Sequence, residues 1–138
     1  MNGAATSERE RVTEGVTRLR LADGPLLRPV LCRVVSMVLT RADWPLERLE
    51  DALLICDALC AHAAKSSGGE RLMFSIDADE HEAELRMCEL TVQSAERLVE
   101  QAHLPLVGNL LERIAERVTV QPDQVGSGTQ LAIVLSAR

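Results

Sequence analysis

The amino-acid sequence predicts an α+β fold: a two-layer sandwich in which a mixed, mostly antiparallel sheet is covered on one face by helices. Three observations carry this. Apolar residues recur with period two in some stretches and with the helical period in others. The two kinds of stretch follow the order β-α-α-β-β-α-α-β-β along the chain. Each helix has one apolar stripe and each strand one apolar face, a combination that two packed layers satisfy.

The elements follow in order. Residues 1–11 are polar and are expected to form a disordered tail ahead of one domain over 12–138. Val12, Val16, Leu19 and Leu21 alternate among polar residues and mark a first strand. Ala22-Asp23-Gly24-Pro25 signals a turn, and Pro25 suits the first turn of a helix ending near Arg41. Leu27, Val30, Leu31, Val34 and Val38 give that helix its apolar face. Asp43-Trp44-Pro45 begins a second helix, with Glu47 near its positive N-terminal end. It runs to about Lys65, where Ser66-Ser67-Gly68-Gly69 stops it. Leu72, Phe74 and Ile76, then Ala83, Leu85 and Met87, form two strands of an antiparallel hairpin. The acidic linker Ala78–Glu82 joins them, and the acidic loop Asp77–Glu84 reads as a solvated tip that could serve as a cation site but lacks a calcium-loop pattern. Ser94 caps a short helix to about Ala102. Pro105 starts another, with Val107, Leu110, Leu111 and Ile114 inside. Val118–Val120 is a strand, Gly126-Ser127-Gly128 a turn, and Leu131, Ile133 and Leu135 mark the last strand. There is no internal repeat and no low-complexity stretch.

A chain of 138 residues with 46% hydrophobic and 26% charged residues suits one folded domain. No apolar run reaches the roughly 18 residues that a membrane span needs. The charged N-terminal stretch has no signal-peptide core, so the expected location is cytoplasmic. A net charge of −6 disfavours direct binding to nucleic acid or to an anionic membrane. Lys65 is the only lysine, so arginine dominates the basic residues and favours bidentate pairing with carboxylates. With one Trp, one Phe and no Tyr, stacking platforms for bases are all but excluded.

Cys32, Cys56, Cys60 and Cys88 are expected as free thiols. Cys56 and Cys60 stand four apart on one helical face. They also continue the stripe Leu49, Leu53, Cys56, Cys60, Ala63, which points to buried thiols acting as small hydrophobes. No histidine stands at a spacing that would complete a metal site with them. His62, His81 and His103 are scattered over a helix, a loop and a helix end, and no metal ligand is assigned.

The order of elements resembles the histidine-kinase-like ATPase (GHKL, or Bergerat) superfamily, in particular its compact bacterial anti-sigma factors and serine-protein kinases, over roughly residues 14–136. The family's second helix carries Glu-x-x-x-Asn. Here Ile55–Ala63 sets Asp57 at the Glu position and Ala61 at the Asn position. The resemblance makes Asp57 the catalytic base, with a shorter reach, only if kinase activity is retained. It gives position 61 a methyl group where the family has an amide ligand for Mg²⁺. The family's Asp-x-Gly becomes Glu89-Leu90-Thr91, so Glu89 takes the adenine-reading position without the glycine that tolerates positive φ. Its glycine-rich helix entry becomes Leu104–Leu111, where Gly108 is the one glycine left and Pro105 removes a donor from a phosphate cradle. Gly126-Ser127-Gly128-Thr129 is similar to the family's Gly-Gly-Thr, which places Gly126, Gly128 and Thr129 near the adenine.

The resemblance implies a partner-switching, anti-sigma-like regulator of transcription, of the kind used in bacterial stress responses, with a degenerate ATP site. Its partners would be a sigma factor and an anti-anti-sigma antagonist. The polar outer face of the sheet leaves room for a homodimer. No cofactor is expected, or ATP or ADP held weakly through Asp57, Glu89 and Thr129. Two alternatives stand beside this reading: an active ATP-dependent serine kinase, which needs metal, base and phosphate loop together, and a thiol-based sensor using Cys56, Cys60 or Cys88.

Overall fold

The computed structural model describes residues 16–22, 24–67, 71–101, 103–104, 108–122 and 128–138. The expected N-terminal tail, the start of the first strand at 12–15 and the Gly126-Ser127 turn lie outside the described residues. The elements are β1 (Val16–Ala22), α1 (Leu27–Arg41), α2 (Leu46–Ser67), β2 (Arg71–Ala78), β3 (Glu82–Leu90), α3 (Val92–Gln101), β4 (His103–Leu104), β5 (Gly108–Asn109), α4 (Leu110–Ile114), β6 (Arg117–Pro122) and β7 (Thr129–Ser136).

The main sheet has the order β1-β2-β3-β7-β6. Every pairing in it is antiparallel, which corrects the expectation of a mixed sheet. Between β1 and its antiparallel neighbour β2 stand two helices, α1 and α2, which pack against each other.

Helices cover one face. Leu31 and Leu39 of α1, Ile55 and Leu59 of α2 and Leu111 of α4 share a solvent-free core with Leu72, Phe74, Met87, Leu131 and Ile133 of the sheet. Burying each such side chain contributes about 1.5–3 kcal/mol before conformational entropy is subtracted. The stripes are rotated slightly from the expected ones. Leu27, Leu31, Val35 and Leu39 are the buried line of α1, while Val30, Val34 and Val38 flank it half-buried. In α2 the buried line is Ala52, Ile55, Cys56 and Leu59, with Leu49, Leu53 and Cys60 at its margin.

Local chemistry fixes the element ends. Gly24–Leu26 forms a turn in which the Leu27 amide donates to the Gly24 carbonyl, so Pro25 precedes the helix rather than opening it. Pro29 lies in the first turn of α1, where a missing N–H costs nothing. After α1, Asp43 adopts φ 61° and the Trp44 amide turns back to the Leu39 carbonyl. The Trp44 indole donates to the Asp79 carbonyl at 2.7 Å, tying the helix pair to the β2–β3 hairpin. Arg48 of α2 donates to the Ser136 carbonyl at 2.8 Å, tying it also to β7.

The segment before β6 differs most from expectation. Instead of one helix from Pro105, a short ladder pairs His103 with Asn109 and Leu104 with Gly108, and the helix starts only at Leu110. Gly108 and Asn109 are poor helix formers, which favours this late start. Residues 105–107 lie outside the described residues.

Candidate functional site

Asp57 projects from α2 toward α1, where Arg28 grips it with both prongs of its guanidinium. Arg28 Nε donates to Oδ1 at 2.5 Å and Nη2 to Oδ2 at 3.2 Å. Arg28 also has its pKa raised by this hydrogen bond and by the charge of Asp57. The Cys32 thiol donates to the same Oδ1 at 3.7 Å. The carboxylate that the resemblance makes a base is thus an acceptor for a cation and a thiol. Arg28 and Cys32 are one helical turn apart, so both reach α2 from the same side of α1. Sequence reasoning missed both, because nothing in the primary sequence says which residue of α1 faces Asp57.

Two clefts flank this clamp. One, of about 370 Å³, is lined by Gly24, Leu27, Arg28, Asp57, Cys60 and Ala61. The other, of about 320 Å³, is lined by Arg28, Pro29, Cys32, Leu53 and Asp57. Ala61, at the position of the metal-holding amide in the resemblance, is exposed and presents a methyl group to the first cleft. On the far side of α2, α4 packs directly against it, and Leu111 is wholly buried in the common core.

Glu89 stands at an irregularity where the β3–β7 register shifts between Met87 and Leu90. Its φ is 62°, so this residue itself takes the left-handed conformation that the family pattern gives to glycine. Its carboxylate accepts from Arg20 of β1 at 3.0 Å. Thr129 pairs across the sheet with Leu90, next to Glu89, and Gly128 precedes it. The structure therefore brings Glu89, Gly128 and Thr129 to one end of β3 and β7. Gly108 belongs to β5, directly before α4, a helix of only five residues. Gly126 lies outside the described residues, as does the side chain of His62. Asp57 faces α1, and its described partners are Arg28 and Cys32.

The thiols divide differently from expectation. Cys56 is fully buried, but Cys60 is half-buried in a cleft wall rather than sealed in the core. Cys32 is also half-buried. Hydrogen bonding toward Cys56 is the main reason the Cys32 pKa is lowered, against partial burial and the Asp57 charge. The same hydrogen bonding, then burial, pushes Cys56 well above its ordinary value. Cys88 lies on the helix-free face of the sheet, its sulfur 4.0 Å from the Gln130 amide oxygen.

A third feature carries no signal in the sequence. A groove of about 540 Å³ runs between α3, α4 and the edge strand β6. Its floor is Val99, Leu111, Val118 and Val120. Its rim carries Glu96, Glu100, Glu112 and Glu116, with Arg117 beside them, all exposed.

No helix among the described residues is long and apolar enough to cross a membrane. No protein-family model matches the chain, and no curated protein matches it in sequence.

Proposed function

We propose that the chain is a regulatory protein-binding module, an anti-sigma-like partner-switching regulator whose ATP site has degenerated. The observation that carries this reading is the Arg28–Asp57 clamp beside Ala61. With both carboxylate oxygens already accepting from the guanidinium, Asp57 is engaged before any substrate hydroxyl could approach it. A methyl group one turn further along cannot hold Mg²⁺. Phosphoryl transfer depends on the metal and on positioning, so the residues present favour binding over transfer.

The groove between α3, α4 and β6 supports the binding half of the reading. An apolar floor with a glutamate rim is complementary to a basic amphipathic segment, whose apolar face would cover the valines and whose arginines or lysines would meet the rim. The partner expected there is a sigma factor, with an anti-anti-sigma protein as its competitor.

The test is a binding titration of the full chain against purified sigma factors and anti-anti-sigma proteins, without nucleotide. Expected is saturable binding that the double variant Glu96→Arg/Glu100→Arg weakens at least about tenfold, with increased salt weakening the unaltered protein in the same direction. Absence of binding to every member of both classes would overturn the reading.

A further inference from the structure

β6 is an outer strand of the main sheet. β7 pairs along one of its edges, and no strand among the described residues pairs along the other. In an antiparallel ladder, residues alternate in turning their N–H and C=O groups toward the partner strand and away from it. Alternate backbone groups of β6 therefore face away from β7. Such an edge is a template for a further strand unless charge or distortion blocks it. Val118 and Val120 pair opposite the core residues Ile133 and Leu131, so both lie on the helix side of the sheet. Neither bears a charge, and Val120 is 37% exposed.

The same two valines floor the groove of about 540 Å³ between β6, α3 and α4. The open edge and the apolar floor therefore adjoin. Glu96 and Glu100 stand one turn apart on α3, Glu112 lies on α4, and Glu116 directly precedes β6. Arg117, beside them, is paired at 3.1 Å with Glu82, which does not line the groove. The other outer strand, β1, has the opposite character, with Arg18 and Arg20 exposed along it. Charge thus favours a basic segment at the β6 edge and disfavours it at the β1 edge.

We propose that an extended basic segment of a partner protein adds to β6 as a further strand of the main sheet, its apolar side chains lying in the groove. This rests on the protein-binding role proposed above and specifies the form of the bound segment. A helix in the groove would cover the valines but leave the β6 edge unpaired. A strand covers the valines and pairs the edge as well. Its main-chain hydrogen bonds supply affinity and its alternate side chains supply specificity. The segment carries aliphatic residues at alternate positions, with Arg or Lys next on the same face to meet the glutamates. A second copy of this chain is a poor occupant, because two paired β6 edges would bring two glutamate rims together.

The experiment titrates the full chain with the fluorescein-labelled peptide Arg-Thr-Val-Thr-Val-Thr-Arg, followed by anisotropy. Two backbone N-methylated forms are titrated beside it, one methylated on the valines and one on the threonines. Each methylation removes the donors from one edge of the peptide strand only. Expected is saturable binding that falls at least about tenfold in one methylated form and stays nearly unchanged in the other. Amide hydrogen exchange should slow along β6 when the peptide binds. Val120→Arg and Glu96→Arg/Glu100→Arg should each weaken binding at least about tenfold, with circular dichroism establishing that each variant is folded. No saturation up to about 1 mM peptide, equal effects of the two methylations, slowed exchange along β1 instead, or undiminished binding in both variants would each overturn the proposal. A sigma factor or antagonist that binds the full chain without slowing exchange along β6 would overturn this inference and leave the protein-binding role standing. Strand addition by the peptide when no such partner binds would do the reverse.

Discussion

Glu89 and Gln130 are each placed against their usual preferences, and both placements are measurable. Glu89 holds φ at 62°, a conformation that costs a non-glycine residue about 1 kcal/mol. Its ion pair with Arg20 is roughly half exposed on both sides and offsets little of that. Glu89→Gly is therefore expected to leave stability unchanged or raise it by up to about 1 kcal/mol in urea unfolding. Glu89→Val should lower it, because a β-branched side chain fits that φ worst. Gln130 is the second point. It is 2% exposed and its amide nitrogen has no hydrogen-bond partner among the described residues. Gln130→Met should stabilise the fold by about 1 kcal/mol, since an unsatisfied buried donor is removed and the volume kept. A loss of stability there would mean that the amide is satisfied in solution. Neither point was legible in the sequence. The missing glycine after Glu89 was, but not that Glu89 would itself adopt the conformation the glycine serves. Asp57 could be read as a site residue from its place on α2, whereas Arg28 and Cys32 could not be assigned to it, because the rotation of α1 about its axis is set by tertiary packing.

At the scale of elements, the β2–β3 hairpin carries two carboxyls that titrate with opposite sign. At its tip the Asp79 carboxylate accepts the His81 and Glu82 amides, both at 2.8 Å. Those bonds hold its pKa below the ordinary value, the His81 bond first. Its support is therefore present at neutral pH and is lost as pH falls through the lowered folded value. Asp77, on the helix-free face, is raised, chiefly by burial. It opposes folding at neutral pH, and protonating it as pH falls relieves that cost. Asp79→Ala should remove the acid-side loss of hairpin protection seen by amide exchange, and Asp77→Asn should raise stability most at neutral pH and least in acid. An unchanged pH profile in both variants would contradict these assignments. The hairpin itself was plain from the alternation of Leu72, Phe74 and Ile76 with polar residues. The β4–β5 ladder was not. A two-residue ladder has too short a period to detect, and Leu110, Leu111 and Ile114 made the whole segment look like one helix.

Across the whole molecule, an α+β sandwich follows from strands with one apolar face and helices with one apolar stripe, and the sequence displayed both. Strand direction is subtler, because it depends on how the intervening segments pack. The core is shared by all three layers of contact, α1 with α2, helices with sheet, and α4 with α2. Phe74→Ala, at the centre of β2, should accordingly cost about 3–5 kcal/mol and lower the cooperativity of the whole transition rather than of one element. The same packing fixes Asp57 against Arg28 and leaves Ala61 facing the cleft, on which the functional account depends. Isothermal calorimetry of the full chain with ATP, with and without Mg²⁺, tests that account most directly. The expected result is no metal-dependent binding tighter than about 1 mM. Micromolar ATP binding that requires Mg²⁺ and disappears in Asp57→Asn would contradict it.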